Sequence, residues 1–266
     1  MSRPAKSDIP VVILCGGQGT RLREETEYRP KPMVEIGPQP ILWHILKIYG
    51  AHGLGRFVLC LGYKAWEIKQ YFLRYKEMHS DFTVAMDGSR PPCFHNQAGD
   101  EQWQVTCAET GLETGTGARL RLVRDYVDTP TFCFTYGDAV GDVDIGALLD
   151  FHWSQGRVAT VTGVHPTSRY GEMVVRDGRA LEFNEKPTQA EGVVSGGFFV
   201  FQREVFDYLS DDPQLFLELD PLQRIARDGQ LSVYKHTGFW HPMDTYRDYL
   251  HLNGLWRQGN PPWKIW

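Results

Sequence analysis

Strand and helix patterns alternate along the first half of the chain. Residues 9–15 form a continuous apolar run that ends at glycines, which is typical of a strand buried on both faces. Apolar residues recur at helical spacing over 40–49, and residues 57–61 predict the next strand. The same patterns predict helices over 65–75 and about 117–126, and strands over 104–108 and 131–136. Repeated strand–helix units predict an α/β fold with a doubly wound, mostly parallel mixed sheet. Ligands of such sheets bind beyond the carboxyl ends of the strands.

Strand patterns become denser after about residue 156. They predict strands over 158–164, 172–176, 179–184, 193–201 and 231–235, with Asp177-Gly178 as a hairpin turn. Helical patterns cover 203–209, 221–227 and 246–256. The sequence has no linker, repeat or low-complexity segment. We therefore predict a single domain over residues 1–266, with one half at about 9–156 and a β-rich extension at about 157–266.

Composition and charge narrow the class of protein. Hydrophobic residues make up 42% of the 266 residues, which is typical of a globular chain. The net charge of −5 gives no support to a nucleic-acid partner. No run of about 18 apolar residues predicts a membrane span, and residues 1–8 lack the apolar segment of a signal peptide. Five cysteines without a CxxC pair favour a reducing compartment, so we expect a cytoplasmic protein.

A glycine-rich, basic loop follows the first strand. Its sequence is Gly16-Gly17-Gln18-Gly19-Thr20-Arg21-Leu22, and such a loop exposes successive backbone N–H groups that can bind phosphate oxygens. The alternative is an ordinary tight turn. The P-loop pattern GxxxxGK[ST] is absent, and Leu22 stands where a Rossmann dinucleotide loop needs its third glycine. Arg21 adds a guanidinium fork, and Lys31 between two prolines adds an aimed cation, although a surface lysine is the alternative.

Two aspartates far apart in sequence each follow a strand-like run. Asp138 and Asp244 offer the carboxylate oxygens that Mg²⁺ prefers, and one or two carboxylates with substrate phosphates can hold this ion. Either residue alone is equally consistent with a helix cap or a turn. Asp144 is better explained as the cap of a helix that begins near Ile145.

Several segments carry a resemblance to a known family. Residues 14–22 and 31–37 resemble the opening of the sugar-phosphate nucleotidyltransferases. Residues 40–45, 135–138, 185–187, 196–200 and 238–245 resemble the family's cytidylyltransferase branch, so that the similarity spans about residues 9–264. The resemblance implies a Rossmann-like nucleotidyltransferase fold and transfer of a cytidylyl group from CTP to α-D-glucose 1-phosphate, with Mg²⁺ as cofactor. It also implies a homo-oligomer and a first step toward CDP-linked deoxysugars.

The resemblance further implies roles for individual residues. The halves at about 9–156 and 157–266 become the nucleotide-binding and the sugar-phosphate-binding halves. The nucleotide would contact Leu14, Gly16, Gly17, Gly19, Thr20, Arg21, Lys31, Thr110, Gly111, Thr116 and Gly117, with Arg21 and Lys31 as catalytic residues. The sugar phosphate would contact Tyr170, Gly171, Glu185, Lys186, Ser195 and Gly196. The metal would be held by Asp138 and Asp244.

Two positions depart from the cytidylyltransferase pattern. Ser195 stands where asparagine is usual, and Glu172 stands where a small apolar residue is usual. Serine is shorter and offers a sugar hydroxyl fewer hydrogen-bonding groups than asparagine, so the acceptor sugar stays open. The choice of cytosine over another pyrimidine also does not follow from these residues alone. A non-catalytic nucleotide-binding subunit is a further alternative, which the presence of Arg21, Lys31 and Lys186 disfavours.

Overall fold

A computed structural model describes residues 3–95, 101–165, 172–176, 179–184 and 192–266, with the backbone alone at 172–176 and 179–184. The strands in these ranges are β1 (Pro10–Cys15), β2 (Glu35–Ile36), β3 (Gln39–Pro40), β4 (Arg56–Leu61), β5 (Phe82–Thr83), β6 (Cys93–Phe94), β7 (Gln104–Glu109), β8 (Thr131–Tyr136), β9 (Ala139–Gly141), β10 (Ala159–Val164), β11 (Glu172–Arg176), β12 (Arg179–Asn184), β13 (Val194–Gln202), β14 (Leu231–Lys235) and β15 (Trp240–Pro242).

Helices alternate with these strands over most of the described chain. The α-helices are α1 (Arg23–Thr26), α2 (Ile41–Ala51), α3 (Ala65–Leu73), α4 (Tyr75–His79), α5 (Thr116–Leu122), α6 (Ile145–Gln155), α7 (Asp220–Arg227) and α8 (Tyr246–Arg257). Short 3-10 helices cover Lys6–Asp8, Thr20–Leu22, Lys31–Met33, Arg124–Tyr126 and Arg203–Tyr208. Asp144 caps α6 as predicted, because its side chain accepts a hydrogen bond from the Ala147 N–H at 2.9 Å.

Within the described residues the main sheet has seven strands in the order β14-β10-β13-β8-β1-β4-β7. Neighbouring strands are parallel except at β13, which runs antiparallel to both β10 and β8. This confirms the predicted α/β fold with a mostly parallel mixed sheet. β1 lies inside the sheet, where Val11 and Ile13 join one hydrophobic core and Val12 joins the core on the opposite face. Its unbroken apolar run follows from this burial on both faces.

Several predicted helices have different limits or a different type. The helix predicted over 65–75 ends at Leu73, and α4 begins at Tyr75. The helix predicted over about 117–126 ends at Leu122 and continues as a 3-10 turn, and the segment 203–209 is a 3-10 helix rather than an α-helix. Over six or seven residues, spacings of three and of four place apolar side chains on nearly the same face. A short apolar pattern therefore cannot separate the two helix types.

Other expectations concern cysteines and membrane spans. Cys15, Cys60 and Cys133 are buried free thiols, and burial raises the pKa of Cys60 to about 12. Among the helices of the described ranges, none combines the length and the apolar character that a membrane span requires.

His44 lies in the core among the aromatic residues of the chain's end. Its ring makes edge contacts with Trp256 and Trp263, and its Nδ1 accepts a hydrogen bond from Trp263 Nε1 at 3.3 Å. Nε2 therefore carries the proton and donates to the Ile36 carbonyl oxygen at 2.9 Å. Burial lowers the pKa of His44 to about 4, against the opposing effect of the Ile36 hydrogen bond.

The buried His44 predicts a loss of stability in mild acid. Its pKa of about 4 in the folded chain lies below the value of 6.5 for an ordinary histidine, so the unfolded chain takes up the proton first as pH falls. This contribution to the free energy of unfolding is complete above pH 6.5, and roughly 3 kcal/mol of it is lost between pH 6.5 and pH 4.

Urea unfolding across this pH window measures the effect. His44→Gln is expected to show a shallower decline of the free energy of unfolding than the wild-type chain. His152, whose pKa burial also lowers to about 4, remains in both proteins and sets the residual slope. Equal slopes in the two proteins would contradict the assignment to His44.

Candidate active site

A cleft of about 550 Å³ opens at the carboxyl ends of β1 and β8. These two strands are parallel neighbours, so the segments that follow them meet at the same edge of the sheet. The predicted residues that line the cleft are Leu14, Gly16, Gly17, Gly19, Thr20, Arg21, Lys31, Thr116 and Asp138. The structure therefore brings most of the predicted nucleotide-binding residues to one place.

The glycines of the loop differ in their surroundings. A Cβ on Gly16 would collide with the Arg119 guanidinium, whereas a Cβ on Gly17 would meet nothing within 4 Å. Gly19 has a φ of 63°, a left-handed conformation that glycine adopts readily, and its carbonyl oxygen accepts a hydrogen bond from Thr26 Oγ1 at 3.0 Å. The absence of a side chain at Gly16 thus allows the Arg119 guanidinium to pack against the loop, while the Gly17 backbone stays accessible from the cleft.

Arg119 is a buried cation that the sequence reasoning did not select. Only 4% of it is exposed, and its guanidinium donates to the carbonyl oxygens of Gly111 at 2.8 Å and Gly16 at 3.3 Å. Its remaining acceptors are the carbonyl oxygens of Leu61, Leu112 and Thr114 and the Thr110 hydroxyl. Arg119 therefore ties the glycine loop to the segment that follows β7. The one signal in the sequence was its place beside Ala118 and Leu120 on the inward face of a helix.

A small two-stranded sheet brings the two predicted metal ligands together. Asp138 directly precedes β9, and Asp244 follows β15 after Met243. β9 and β15 pair antiparallel with Ala139 opposite Pro242, and the Met243 N–H donates to the Asp138 carbonyl oxygen at 2.7 Å. This pairing places both carboxylates beside Lys31, where Asp138 lines the cleft.

Lys31 lies between the two carboxylates. Its Nζ is 2.7 Å from Asp138 Oδ2 and 2.6 Å from Asp244 Oδ1. Burial alone would lower the pKa of Lys31, but the charges and hydrogen bonds of the two aspartates outweigh it, and the pKa is raised. Arg21 Nη1 lies 3.1 Å from the other oxygen of Asp244, with 77% of its side chain exposed. Two carboxylates and two cations therefore form one charged cluster, and Arg21, Lys31 and Asp138 of this cluster line the cleft.

The donor set suits a hard divalent cation. The two carboxylates approach the same cation, because one oxygen of each lies within 2.7 Å of the Lys31 ammonium nitrogen. In the part of the chain that the structure describes, no three His, Cys, Asp or Glu side chains form a metal cage. The pair of carboxylates is compatible with Mg²⁺, which takes one or two carboxylates with substrate phosphates and keeps several waters. Metal binding by this chain stays a prediction.

Three of the predicted nucleotide-binding residues make hydrogen bonds to other parts of the protein. The Thr110 hydroxyl donates to the Leu61 carbonyl oxygen at 2.7 Å, and Gly111, with a φ of 90°, offers its carbonyl oxygen to Arg119. The Gly117 N–H donates to the Leu215 carbonyl oxygen at 2.9 Å. Thr110 and Gly117 therefore shape the wall of the cleft from behind, while residues 112–114 and Thr116 line it.

Tyr136 and Glu218 form a second feature that the sequence did not indicate. Tyr136 lines the cleft and its hydroxyl donates to Glu218, whose carboxylate also accepts from the Thr116 hydroxyl at 2.6 Å. The Tyr136 ring packs against Gly197, where a Cβ would lie 2.8 Å from it. Glu218 thus joins the wall at Thr116 to the end of β8.

Only two of the six predicted sugar-phosphate-binding residues lie in the ranges that the structure describes. Tyr170, Gly171, Glu185 and Lys186 lie outside the described residues. Ser195 and Gly196 lie on β13, two strands away from β1 in the sheet. The Ser195 hydroxyl accepts from the Gly197 N–H at 3.3 Å, and the Gly196 carbonyl oxygen accepts from Trp240 Nε1 at 2.7 Å. Gly196 therefore connects the main sheet to the strand that leads to Asp244.

Known proteins are similar to this chain in sequence and in fold. The model of the nucleotidyl transferase family matches residues 10–257. The chain is 47% identical to the glucose-1-phosphate cytidylyltransferase of Salmonella typhimurium and 46% identical to that of Salmonella typhi. Each match covers 96% of this chain and 98% of the relative. The crystal structure of HddC from Yersinia pseudotuberculosis matches with a TM-score of 0.66 and 21% identity, over 93% of this chain and 99% of that chain. At this identity the structural match shows the fold alone.

Proposed function

We propose, because this chain belongs to the nucleotidyl transferase family, that it transfers a cytidylyl group from CTP to α-D-glucose 1-phosphate. The products would be CDP-glucose and pyrophosphate. The observation that carries the proposal is identity of 46–47% over 96% of the chain to two proteins named glucose-1-phosphate cytidylyltransferase. The cleft with its glycine loop, Lys31 and paired aspartates supports it, since phosphate transfer needs this combination of donors and charges.

The proposed chemistry needs no general base. A phosphate oxygen of the sugar phosphate attacks the α-phosphorus of CTP in line, the bond from that phosphorus to the bridging oxygen breaks, and pyrophosphate leaves. The attacking oxygen is already an anion at neutral pH. The protein's contribution is therefore to position the two anionic substrates and to neutralise their charge.

Cations on the glycine-loop side would bind the triphosphate. The N–H groups of Gly17 and Thr20 and the exposed guanidinium of Arg21 are suited to the departing pyrophosphate. Lys31 is charged and lies within 2.7 Å of both aspartates, so a small side-chain movement would bring it to a phosphate oxygen. Mg²⁺ held by Asp138 and Asp244 would supply further positive charge against the triphosphate.

The acceptor would bind on the β13 side. We assign Lys186 to the acceptor phosphate and Glu185 to a sugar hydroxyl, with Tyr170, Gly171, Ser195 and Gly196 completing that site. Serine in place of the usual asparagine at position 195 favours one alternative, namely the same reaction with a different phosphorylated sugar. A different pyrimidine triphosphate is the other alternative.

Pyrophosphate release across substrate pairs tests the proposal. CTP, UTP and dTTP are each combined with glucose 1-phosphate, mannose 1-phosphate and N-acetylglucosamine 1-phosphate in the presence of Mg²⁺. The pair of CTP and glucose 1-phosphate is expected to exceed every other pair in kcat/KM by about 10²-fold or more. If another pair gave the highest kcat/KM, the nucleotide or the sugar of that pair would take the place of CTP or glucose 1-phosphate in the proposed reaction. No release with any pair would favour a non-catalytic nucleotide-binding subunit.

A further inference from the structure

We infer that Asp248 is a positioning residue for the cation site, because its carboxylate holds the backbone of Asp244. This inference rests on the proposed function, in which Asp244 is a metal ligand. Asp248 lies in the first turn of α8 and is 8% exposed. Its buried carboxylate contacts the backbone of Asp244 and not the side chain that would bind the metal.

One carboxylate oxygen of Asp248 accepts three hydrogen bonds from Asp244 and Thr245. Oδ2 accepts from the Asp244 N–H at 3.2 Å, from the Thr245 N–H at 2.8 Å and from the Thr245 hydroxyl at 2.8 Å. An ordinary capping box joins only the N-cap residue and the third residue of the helix, here Thr245 and Asp248. The bond to the Asp244 N–H extends this motif by one residue toward the cleft.

The other oxygen of Asp248 joins the helix to the small sheet. His241 Nε2 lies 3.1 Å from Oδ1, and His241 pairs with Val140 in the β9–β15 ladder. The Asp248 carboxylate therefore connects the Asp244 backbone and α8 to the β9–β15 sheet.

The segment before Asp244 is held independently. The Met243 N–H donates to the Asp138 carbonyl oxygen at 2.7 Å, and Met243 is fully buried. Asp244 is thus fixed on one side to the partner aspartate and on the other side to Asp248. With both attachments in place, the separation of the two carboxylates depends only on side-chain rotation. Loss of the Asp248 attachment releases one of the two ligands.

The test compares Asp248→Ala with Asp248→Asn. Alanine removes the acceptor, and Mn²⁺ affinity in the presence of an α,β-methylene analogue of CTP is expected to fall by about tenfold or more. Asparagine keeps one oxygen for the two N–H groups and presents its amide N–H to His241 Nε2, which accepts it in the tautomer protonated at Nδ1. We expect it to restore the affinity to within about threefold of wild type. Electron paramagnetic resonance of Mn²⁺ in the full-length chain measures this affinity without turnover.

A matched control separates positioning from helix stability. Asp144→Ala removes the cap of α6, where the Asp144 side chain accepts from the Ala147 N–H at 2.9 Å. Both alanine variants are expected to lower the unfolding midpoint by about 2–4 °C, but only Asp248→Ala is expected to weaken Mn²⁺ binding. The Mg²⁺ concentration for half-maximal activity should follow the same order.

Each outcome bears on a different statement. Equal Mn²⁺ affinity in Asp248→Ala and Asp144→Ala would overturn the positioning role, and so would an Asp248→Asn variant as defective as the alanine variant. In both cases the wild-type site would still bind Mn²⁺, so the proposed function would stand. Failure of the wild-type chain to bind Mn²⁺ with the CTP analogue would overturn the metal site itself, and the positioning role with it.

Discussion

Replacing Asp138 with asparagine is expected to lower kcat by about 10²–10³-fold while the free energy of unfolding changes by less than about 1 kcal/mol. The carboxylate faces the cleft, is 31% exposed and lies 2.7 Å from Lys31 Nζ. Asparagine has the same shape and still accepts a hydrogen bond, and Lys31 keeps its second partner, Asp244. The loss is therefore one of negative charge at the proposed cation site. Pyrophosphate release and urea unfolding measure the two quantities.

Asp142→Asn is the matched control for this prediction. Asp142 lies four residues further along the chain, and its carboxylate is 3.0 Å from His236 Nε2 rather than near Lys31. We expect its kcat to stay within about threefold of wild type, because this carboxylate contacts His236 and not the residues that line the cleft. Near-normal turnover of Asp138→Asn at saturating Mg²⁺ would contradict the metal assignment.

Replacing Arg119 with methionine is expected to lower the free energy of unfolding by about 3 kcal/mol or more. The substitution leaves the carbonyl oxygens of Gly111, Leu112 and Thr114 without the donor that Arg119 supplies, and each acceptor left unpaired on burial costs about 1–3 kcal/mol. The glycine loop also loses its attachment to the segment after β7. We therefore expect the KM for CTP to rise by about tenfold or more, as measured by initial rates.

Arg121→Met serves as the control on the same helix. The Arg121 side chain is 41% exposed and pairs with Asp211 at the surface, a contact that contributes at most about 1 kcal/mol. Its KM for CTP is expected to match wild type. If Arg119→Met and Arg121→Met had the same stability and the same KM, Arg119 would not support the loop.

The sequence predicted the fold and one side of the site because these depend on strong patterns. Residues 9–15 are apolar without interruption, since β1 is buried on both faces and alternates its side chains between two cores. A buried parallel strand that ends in glycines places its loop at the ligand-binding edge. Asp138 follows β8, the parallel neighbour of β1, so its position at the same edge followed from the same argument.

The rest of the site depends on contacts that short segments make across the fold. β9 and β15 have three residues each, too few for an alternating pattern, so the pairing that joins Asp138 to Asp244 could not be derived. Arginine is usually exposed, so the sequence does not predict that Arg119 is buried. Its burial is explained by hydrogen bonds to carbonyl oxygens that are distant in the sequence, such as those of Leu61 and Gly16. The sequence pattern also does not predict the hydrogen bond between the Asp248 carboxylate and the Asp244 N–H. It indicates only the capping pair, because Thr245 is followed three residues later by Asp248.

The most direct test follows the oxygen atoms of the reaction. The chain is incubated with CTP, Mg²⁺ and α-D-glucose 1-phosphate that carries ¹⁸O in its phosphate group, and the products are examined by ³¹P NMR. If the sugar phosphate attacks the α-phosphorus, CDP-glucose carries ¹⁸O in the bridge between its two phosphorus atoms and the pyrophosphate is unlabelled. Labelled pyrophosphate, or CDP-glucose without ¹⁸O in that bridge, would contradict the proposed reaction.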